Sequence, residues 1–210
     1  MATENRRERE KRERRESILD AAEKVFFDKG FERCSMDDIA RTAQLSRALL
    51  YVYFKDKTEI MRGIMVRAAE MLVAGFAAAT RAGDTGMQQI CNIGQAYYRF
   101  SVEQPAYFDA LTQAASFALP TERDTTSEAL INCDSECMRL MVETLQRGVR
   151  DGSFSAERVS DPIQTAYYLR GALHGTIMEG RVLTETGVSH PSPEALVTYA
   201  IDMLARSMAP

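Results

Sequence analysis

The side chains with the clearest capacity for chemistry lie within residues 35–57, and that chemistry is the binding of nucleic acid. Two short helical patterns begin there, at Ser35 and at Ser46, and serine is a preferred residue at the N-terminal cap of a helix. Two short helices joined by a tight turn form a helix-turn-helix, whose second helix offers its first residues to base edges in the major groove. Groups beside that helix bind phosphate oxygens. The segment therefore predicts a surface that binds DNA.

No other group of residues predicts catalysis or a metal site. Cys133 and Cys137 are four residues apart on a predicted helix, where they could bind a soft metal or sense oxidation. Small buried side chains are the favoured interpretation of this pair, because the sequence has only two histidines and neither is close to it. The chain lacks a phosphate-binding glycine loop, an HExxH motif and a GxSxG motif. We therefore expect no enzyme activity, no metal and no cofactor.

The composition is ordinary for a globular protein, but the charge is unevenly distributed. The 210 residues predict one or two domains, and the 45% of hydrophobic residues is enough to build a core. Residues 1–57 hold 14 Lys and Arg against 12 Asp and Glu, a net charge of +2, whereas residues 58–210 hold 12 against 18, a net charge of −6. This asymmetry is typical of a nucleic-acid-binding module attached to a more acidic body.

Neither a membrane span nor a secretory signal is expected from the sequence. No uncharged apolar run reaches 18 residues, and the longest, at residues 71–80, lies between Glu70 and Arg81. The N-terminus is charged from its fourth residue and has no apolar core of a signal peptide, so we expect a cytoplasmic protein. Four scattered cysteines are too few for a disulfide framework.

Hydrophobic residues recur every three or four positions along most of the chain, which predicts an all-α protein of about nine helices. The first clear helix places Ile18 and Phe26 on one face and ends at Gly30, a residue typical of helix C-termini. No stretch shows the sustained period of two that a strand requires. The mixed-charge segment at residues 6–15 is compatible with either a frayed helix or a disordered arm.

The stretch that begins at Ile39, IARTAQLSRALLYVYFKDK, resembles the tetracycline-repressor (TetR) family of bacterial one-component regulators. The positions that match the family pattern are Ile39, Ala40, Ala43, Ser46, Leu50, Tyr51, Tyr53, Phe54, Lys55 and Lys57, with Phe26 and Gly30 in the preceding helix. The specific resemblance covers about residues 15–60. It implies a DNA-binding domain at residues 1–58, with an arm at residues 1–14, and an effector-binding and dimerisation domain at residues 59–210.

The resemblance and the helical spacing together predict the residues that contact DNA. They are Ser35, Met36, Ser46, Arg47, Ala48, Leu49, Tyr51, Tyr53, Lys55 and Lys57. Arg47 is suited to guanine or to a phosphate, and Ala48 and Leu49 are suited to the methyl groups of thymine. A lysine in the first turn of a helix opposes the helix dipole, and a phosphate bound there would explain Lys57, whose alternative is a solvated surface lysine. Tyr51 and Tyr53 could instead be half-buried packing residues.

Several positions depart from the family pattern and lead to structural expectations. Gln44 occupies a turn position that is usually glycine, where we expect a left-handed backbone that costs roughly 1–2 kcal/mol for a residue with a side chain. Met36 stands where a hydroxyl is frequent, which puts that phosphate contact in doubt. Asp37 and Asp38 lie close to the expected DNA surface, so their carboxylates must point away from DNA or cap the helix. Leu50 shares a face with Phe54 and is expected in the core.

The resemblance implies that the last two helices form a homodimer. The residues expected at the interface are Tyr168, Gly171, Ala172, Gly175, Leu196, Tyr199, Ala200 and Met203. The helix with residues 168–175 offers a surface of small residues, and the last helix, with residues 196–203, offers an apolar stripe. Two adjacent amphipathic helices could equally close the core of a monomer.

The resemblance also implies a pocket for a small-molecule effector in the second domain. Methionine and aromatic side chains suit adaptable apolar walls, and a few polar groups then orient the ligand. The candidate residues are Met61, Met65, Tyr97, Phe100, Phe108, Gln113, Phe117, Met138, Met141 and His174. Each apolar member could instead fill the core, and His174 is equally compatible with a core or interface histidine.

These observations predict a cytoplasmic, homodimeric, DNA-binding transcription regulator, and a repressor rather than an activator. An apolar or amphipathic effector would release it from a palindromic operator. The alternative is a ligand-binding or catalytic helical bundle that does not bind specific DNA.

Overall fold

The computed structural model describes residues 6–112, 125–186 and 191–210. Their nine helices are α1 (Arg6–Lys29), α2 (Met36–Thr42), α3 (Arg47–Tyr53), α4 (Lys57–Arg81), α5 (Gly86–Glu103), α6 (Pro105–Thr112), α7 (Thr125–Asp151), α8 (Pro162–Thr186) and α9 (Pro193–Met208). These described residues include no strand, and the predicted all-α architecture is confirmed. Residues 6–15, for which the sequence left two interpretations open, continue α1 as helix.

The chain divides into two compact units. The N-terminal unit contains the described residues within 1–68 and 109–128, and the C-terminal unit contains Ala69–Phe108 and the described part of Ala129–Pro210. The boundary between the units therefore falls inside α4, about ten residues beyond the position that the sequence predicts for the end of the DNA-binding domain. The functional boundary at residue 58 stays a prediction.

The long helix α4 has the length and hydropathy of a membrane-spanning helix, a test that core helices of soluble proteins also pass. Ile60, Ile64 and Ala68 on this helix are completely buried within the protein. An apolar helix with such positions packs against other elements of a folded core, which is the simpler account of its composition.

The helix-turn-helix forms because local side chains satisfy the free N–H groups at the start of each short helix. The Ser35 hydroxyl accepts a hydrogen bond from the N–H of Asp38 (3.2 Å), and the Asp38 carboxylate accepts one from the N–H of Ser35 (3.1 Å). This is a capping box in which aspartate replaces the usual glutamate. The Ser46 hydroxyl caps α3 in the same way by accepting from the N–H of Leu49 (3.2 Å).

Gln44 lies in the turn between α2 and α3 with φ of 56°, so the expected left-handed backbone is confirmed. A side chain is unfavourable in this region because its Cβ approaches the following carbonyl oxygen. The turn is nevertheless held, since the N–H of Leu45 donates to the carbonyl of Ala40 (2.9 Å). The motif therefore tolerates the strain at one position.

Gln44→Gly is expected to stabilise the protein by about 0.5–1 kcal/mol. The relief of roughly 1–2 kcal/mol of strain exceeds the about 0.4–1 kcal/mol that glycine costs through the unfolded chain. Urea denaturation measures the difference, with Gln44→Ala as the matched control that keeps a Cβ and hence the strain. A glycine variant that unfolds at lower urea than the alanine variant would contradict this account.

The C-terminal unit has a continuous hydrophobic core. Its buried members come from α4, α5, α7, α8 and α9 and from the segment between α7 and α8: Phe76, Ala79, Ile90, Ile93, Cys137, Met138, Leu140, Met141, Leu145, Phe154, Val159, Ala166, Leu169 and Met208. The N-terminus of α5 lies so close to α7 that a Cβ on Gly86 would be 2.2 Å from the backbone nitrogen of Gly148. Glycine at that position therefore permits the two helices to pack.

Candidate nucleic-acid interface

Helix α3 is anchored by two buried side chains, and most of its other residues are exposed. Leu50 and Phe54 are 0% and 1% exposed, as their spacing predicts, and they hold the helix in the N-terminal unit. The exposed residues of α3 are Arg47, Ala48, Leu49, Tyr51 and Val52. Four of these were predicted to contact DNA. Val52 was not predicted, although its spacing from Ala48 and Leu49 places it on the same side of the helix.

Arg47 is held at the start of α3 by two neighbours. Its Nη1 atom is 3.2 Å from Oδ2 of Asp37, and its guanidinium carbon is 5.6 Å from the centroid of the Tyr51 ring. The hydrogen bond with Tyr51 and the Asp37 carboxylate both raise the pKa of Arg47. All three side chains are exposed, and an exposed ion pair is weak because water and salt screen it. Arg47 is therefore oriented by contacts that a base or a phosphate can replace.

The two aspartates at the start of α2 have separate partners. Asp38 caps the helix and also contacts Nζ of Lys29 (3.0 Å) and Nη2 of Arg41 (3.3 Å). Its pKa lies well below the usual range because the Ser35 hydroxyl, then Lys29, donate to the carboxylate. The expectation that Asp38 caps the helix is confirmed, and the Asp37 carboxylate is paired with Arg47.

The remaining predicted contacts surround α3. The hydroxyls of Ser35 and Ser46 serve as helix caps, Met36 is half-buried and Lys55 is exposed. Tyr53 is half-buried, and its carbonyl accepts a hydrogen bond from Nη1 of Arg15 (3.1 Å). Whether each of these residues touches DNA stays a prediction.

Arg15 fixes the C-terminal end of α3, a role that the sequence did not reveal. Its guanidinium carbon lies 4.1 Å from the centroid of the Phe54 ring, in addition to the hydrogen bond with the carbonyl of Tyr53. A guanidinium over an aromatic face and beside a helix C-terminus is favourable in both contacts. The contact joins residues 38 positions apart, so no local pattern could have indicated it.

Lys57 has structural partners in addition to the phosphate that the resemblance implies. Its Nζ atom donates to the carbonyls of Phe31 (3.0 Å), Glu32 (3.3 Å) and Cys34 (3.5 Å), and it lies 4.4 Å from the centroid of the Phe31 ring. A lysine in the first turn of α4 is thus explained without DNA, because it closes the loop between α1 and α2. A phosphate contact by Lys57 stays a prediction.

Lys57→Met is expected to lower the free energy of unfolding by about 1–2 kcal/mol, since three carbonyls lose a charged donor. Lys55→Met, two residues away and exposed, is the matched control and is expected to change stability little. Urea denaturation at neutral pH compares the two. Equal stability of the two variants would show that the Lys57 contacts with the loop contribute nothing.

Three predicted pocket residues in the C-terminal unit form an aromatic cluster: Tyr97, Phe108 and His174. The Tyr97 hydroxyl is 2.8 Å from Nδ1 of His174, and the Phe108 ring centroid is 5.6 Å from that of Tyr97 and 5.9 Å from that of His174. Burial raises the pKa of Tyr97 to about 12, and burial, followed by the charge of Arg170, lowers the pKa of His174. The cluster combines apolar walls with a hydrogen-bonded polar pair.

The other predicted pocket residues have different surroundings. Met138 and Met141 are members of the hydrophobic core of the C-terminal unit, and Phe100 is buried. Met61 and Met65 are buried side chains on the part of α4 that belongs to the N-terminal unit. Gln113 and Phe117 lie outside the described residues. The pocket as a whole therefore stays a prediction, with the aromatic cluster as its best-defined part.

The protein is expected to lose stability as the pH falls from about 6.5, because His174 has a lowered pKa in the folded state. Below the ordinary pKa the unfolded chain binds a proton that the folded chain does not, so protonation favours unfolding. Urea denaturation at pH 7.0 and 5.5 measures the loss, and His174→Gln, which cannot titrate, is expected to reduce it. An unchanged pH dependence in this variant would assign the loss to another group.

The surroundings of the two cysteines on α7 disfavour their thiolate form. Burial, together with nearby acidic groups, raises the pKa of Cys137 to about 12, and burial also raises the pKa of Cys133. A reactive cysteine requires the thiolate form, which these surroundings disfavour. Among the residues that the structure describes, no group of three or more potential metal ligands comes together.

Helices α8 and α9 pack against one another and present an apolar face on their outer side. Tyr168 and Tyr199 are 64% and 65% exposed, and Gly171, Gly175 and Met203 are also exposed. The other predicted interface residues, Ala172, Leu196 and Ala200, are half-buried. Ile163, Tyr167 and Val182 are further exposed apolar side chains on α8, and they were not predicted. A separate set of side chains, including Leu169, Leu173 and Val197, is buried within the unit, so both helices also contribute to its core.

Comparison with known proteins identifies the family. The model of the "Bacterial regulatory proteins, tetR family" matches residues 18–64, which include the helix-turn-helix. The model of the "Tetracyclin repressor-like, C-terminal domain" matches residues 90–204, more than half of the chain. The chain belongs to the TetR family. It is therefore a DNA-binding transcription regulator and not an enzyme, and the alternative of a bundle without specific DNA binding is not favoured.

Individual relatives resemble parts of this TetR-family chain. It is 34% identical over 88 residues to the HTH-type transcriptional activator FasR of Mycolicibacterium smegmatis, an alignment covering 42% of this chain and 40% of FasR. It is 31% identical over 107 residues to the repressor KstR of the same organism, covering 51% of this chain and 52% of KstR. The chain thus spans about half or less of the length of these relatives. The crystal structure of the TetR-family regulator PfmR from Thermus thermophilus matches with a TM-score of 0.67 and 25% identity, over 90% of this chain and 97% of PfmR.

Family membership confirms several expectations at a general level. TetR-family regulators are soluble proteins that bind DNA operators and small-molecule effectors and act as dimers. Both an activator and a repressor are among the relatives, so membership alone does not give the direction of regulation.

Proposed function

We propose that the protein is a cytoplasmic, homodimeric repressor that binds a palindromic operator through α3 and is released by an apolar or amphipathic small molecule. The observation that carries the DNA-binding part is the surface of α3. Leu50 and Phe54 anchor the helix through their buried side chains. Arg47 has an exposed ion pair that a contact with DNA can replace, and the exposed residues beside it are not part of the core. A rigid helix with an exposed basic start is the geometry that major-groove reading requires.

The outer face of α8 and α9 supports dimerisation. It is apolar, contains two exposed glycines that permit close approach, and includes tyrosines with more than half of their surface exposed. A two-fold dimer presents the same patch on both subunits and places two copies of α3 on half-sites one helical turn, or a multiple of it, apart. The DNA contacts and the dimer contacts therefore lie on different units of the chain.

The aromatic cluster supports an apolar or amphipathic effector that binds in the C-terminal unit. Phe108 and the rings of Tyr97 and His174 offer apolar surface, and the polar atoms of the Tyr97–His174 pair can orient a polar group of the effector. An effector that binds best to a conformation in which the two α3 helices no longer match their half-sites weakens DNA binding. Operator DNA must then lower the affinity for the effector by the same factor. Equal effector affinity with and without the operator would overturn this mechanism and leave DNA binding intact.

The DNA-binding proposal is tested by selecting bound sequences from a random library and measuring the affinity of the selected DNA across a salt series. We expect a palindrome whose affinity falls steeply as salt rises, because lysine and arginine contacts release counterions from DNA. Arg47→Ala is expected to weaken binding to this operator by roughly tenfold, and binding to random DNA by less, if the side chain reads guanine.

The control is the same selection with protein that mass spectrometry shows to carry no small molecule, since a bound effector would hold the released state. With such protein, weak binding at every salt concentration and no preferred sequence would overturn the proposal.

A further inference from the structure

The exposed surface of α3 includes a ridge of three side chains that cannot form hydrogen bonds: Ala48, Leu49 and Val52. We call these three residues the apolar ridge. Val52 is 74% exposed and Leu49 is 38% exposed, whereas Leu50 between them is completely buried. Positions 48 and 52 are four residues apart and positions 49 and 52 are three apart, so all three share one side of the helix. The ridge is therefore a continuous apolar surface on the helix that reads DNA.

Exposed basic side chains precede and follow the apolar ridge along the chain. Arg47 begins the same helix, Lys55 follows its end, and Arg41 on α2 has a side chain that is 75% exposed. A helix that carries apolar groups between basic residues suits a polyanion that displays apolar groups. The major groove of DNA is such a surface, because each thymine presents its C5-methyl group there between two phosphate backbones.

We propose that the apolar ridge reads the C5-methyl groups of thymines, so that each operator half-site carries thymines opposite Ala48, Leu49 and Val52. This inference rests on the proposed function of α3 and specifies which bases it recognises. The ridge offers no donor or acceptor, so it distinguishes bases through the methyl group alone. A thymine and a uracil then differ for the protein by one buried methyl group, a difference of about fourfold in affinity.

The test uses the full-length protein and the selected operator with single thymines replaced by uracil, which removes only the C5-methyl group. We expect the affinity to fall about three- to fivefold at each thymine that faces the ridge and to stay unchanged at other thymines. The double variant Leu49→Ala, Val52→Ala is expected to lose the discrimination between thymine and uracil at the bases that face positions 49 and 52, and to keep it at the base that faces Ala48. Its dependence on salt should equal that of the wild type, because the ridge contacts no phosphate.

Val102→Ala is the matched control, since Val102 is a 58% exposed valine on α5 in the other unit. It is expected to keep the full discrimination between thymine and uracil. Folding of the ridge variant is not at risk, because both truncated side chains are exposed.

Two results would overturn the inference while the proposed function stands. One is a selected operator in which no uracil substitution changes the affinity. The other is a ridge variant that still discriminates thymine from uracil as the wild type does. A ridge variant whose oligomeric state changes would instead assign the ridge to contacts between copies of the chain. Failure to select any operator is a different outcome, since it contradicts the proposed function itself.

Discussion

Gly175→Arg is expected to convert the dimer into a monomer and to weaken operator binding by roughly a hundredfold or more, because the two half-sites are no longer bound together. A Cβ on Gly175 would meet no atom within 4 Å in the single chain, so the protomer accommodates a side chain there. In a two-fold interface built from α8 and α9, the long charged side chain would instead be forced between closely packed apolar groups. The substitution therefore separates folding from association.

Light scattering measures the mass of the variant, and binding is compared on the full operator and on a single half-site. The affinity for the half-site should equal that of the wild type, since α3 lies in the other unit. Gly75→Arg is the matched control, because Gly75 is also a helical glycine with no atom within 4 Å of its Cβ position, but lies on α4. A dimeric Gly175→Arg protein with full operator affinity would place the interface elsewhere.

The parts of the DNA-binding unit that the sequence predicts correctly follow from short-range rules. Ser35 and Ser46 cap helices because their hydroxyls reach N–H groups three residues ahead, and this spacing is visible in the sequence. Gln44 adopts positive φ because the turn between the helices requires it, whatever residue is present. Leu50 and Phe54 are buried because residues four apart share a face of a helix.

The contacts that sequence reasoning missed all connect distant residues. Arg15 binds the end of α3 across 38 positions, Lys57 binds carbonyls 23 to 26 positions earlier, and the Tyr97–His174 hydrogen bond spans 77 positions. Such pairs depend on the packing of whole helices, which no local spacing encodes. Sequence reasoning could list Tyr97 and His174 as pocket candidates, but it could not show that they contact one another.

Methionine and aromatic residues that the sequence predicts to line a pocket cannot all be distinguished from core residues by their type. Met138 and Met141 have the composition expected of a ligand-binding wall, and they lie in the hydrophobic core. The flexible, apolar thioether of methionine serves both purposes, so residue type alone does not distinguish them. The hydrogen-bonded polar pair, Tyr97 and His174, distinguishes the aromatic cluster better than any apolar residue does.

Arg67→Met is expected to lower the free energy of unfolding by about 2–4 kcal/mol, a large fraction of the stability of a small domain. The Arg67 side chain on α4 is 19% exposed and binds three carboxylates of α1: Nη1 lies 2.9 Å from Asp20 and 2.8 Å from Glu23, and Nη2 lies 2.5 Å from Glu16. Burial opposes the charged form, yet the hydrogen bonds to Glu16, Glu23 and Asp20 outweigh it and raise the pKa of Arg67. Methionine would leave these three carboxylates close together without a counter-charge.

The burial of the three partners ranks the expected effects of removing each charge. Glu23 is 17% exposed and Asp20 is 63% exposed, so Glu23→Gln should destabilise the protein clearly more than Asp20→Asn, whose charge is screened by water. Urea denaturation measures all three variants. Equal effects of the two acid variants would contradict a role for burial in this cluster.

The salt dependence of stability then distinguishes carboxylate repulsion in Arg67→Met from a loss of packing. Added salt screens the repulsion among the unpaired carboxylates, so the stability difference from the wild type should shrink as salt rises. A loss of packing would not respond in this way.

Because α1 also carries Arg15, which holds the end of α3, unfolding of this unit removes the DNA-reading surface as well. At temperatures where the variant stays folded, operator affinity should therefore match the wild type, since Arg67 acts through stability and not through a contact with DNA.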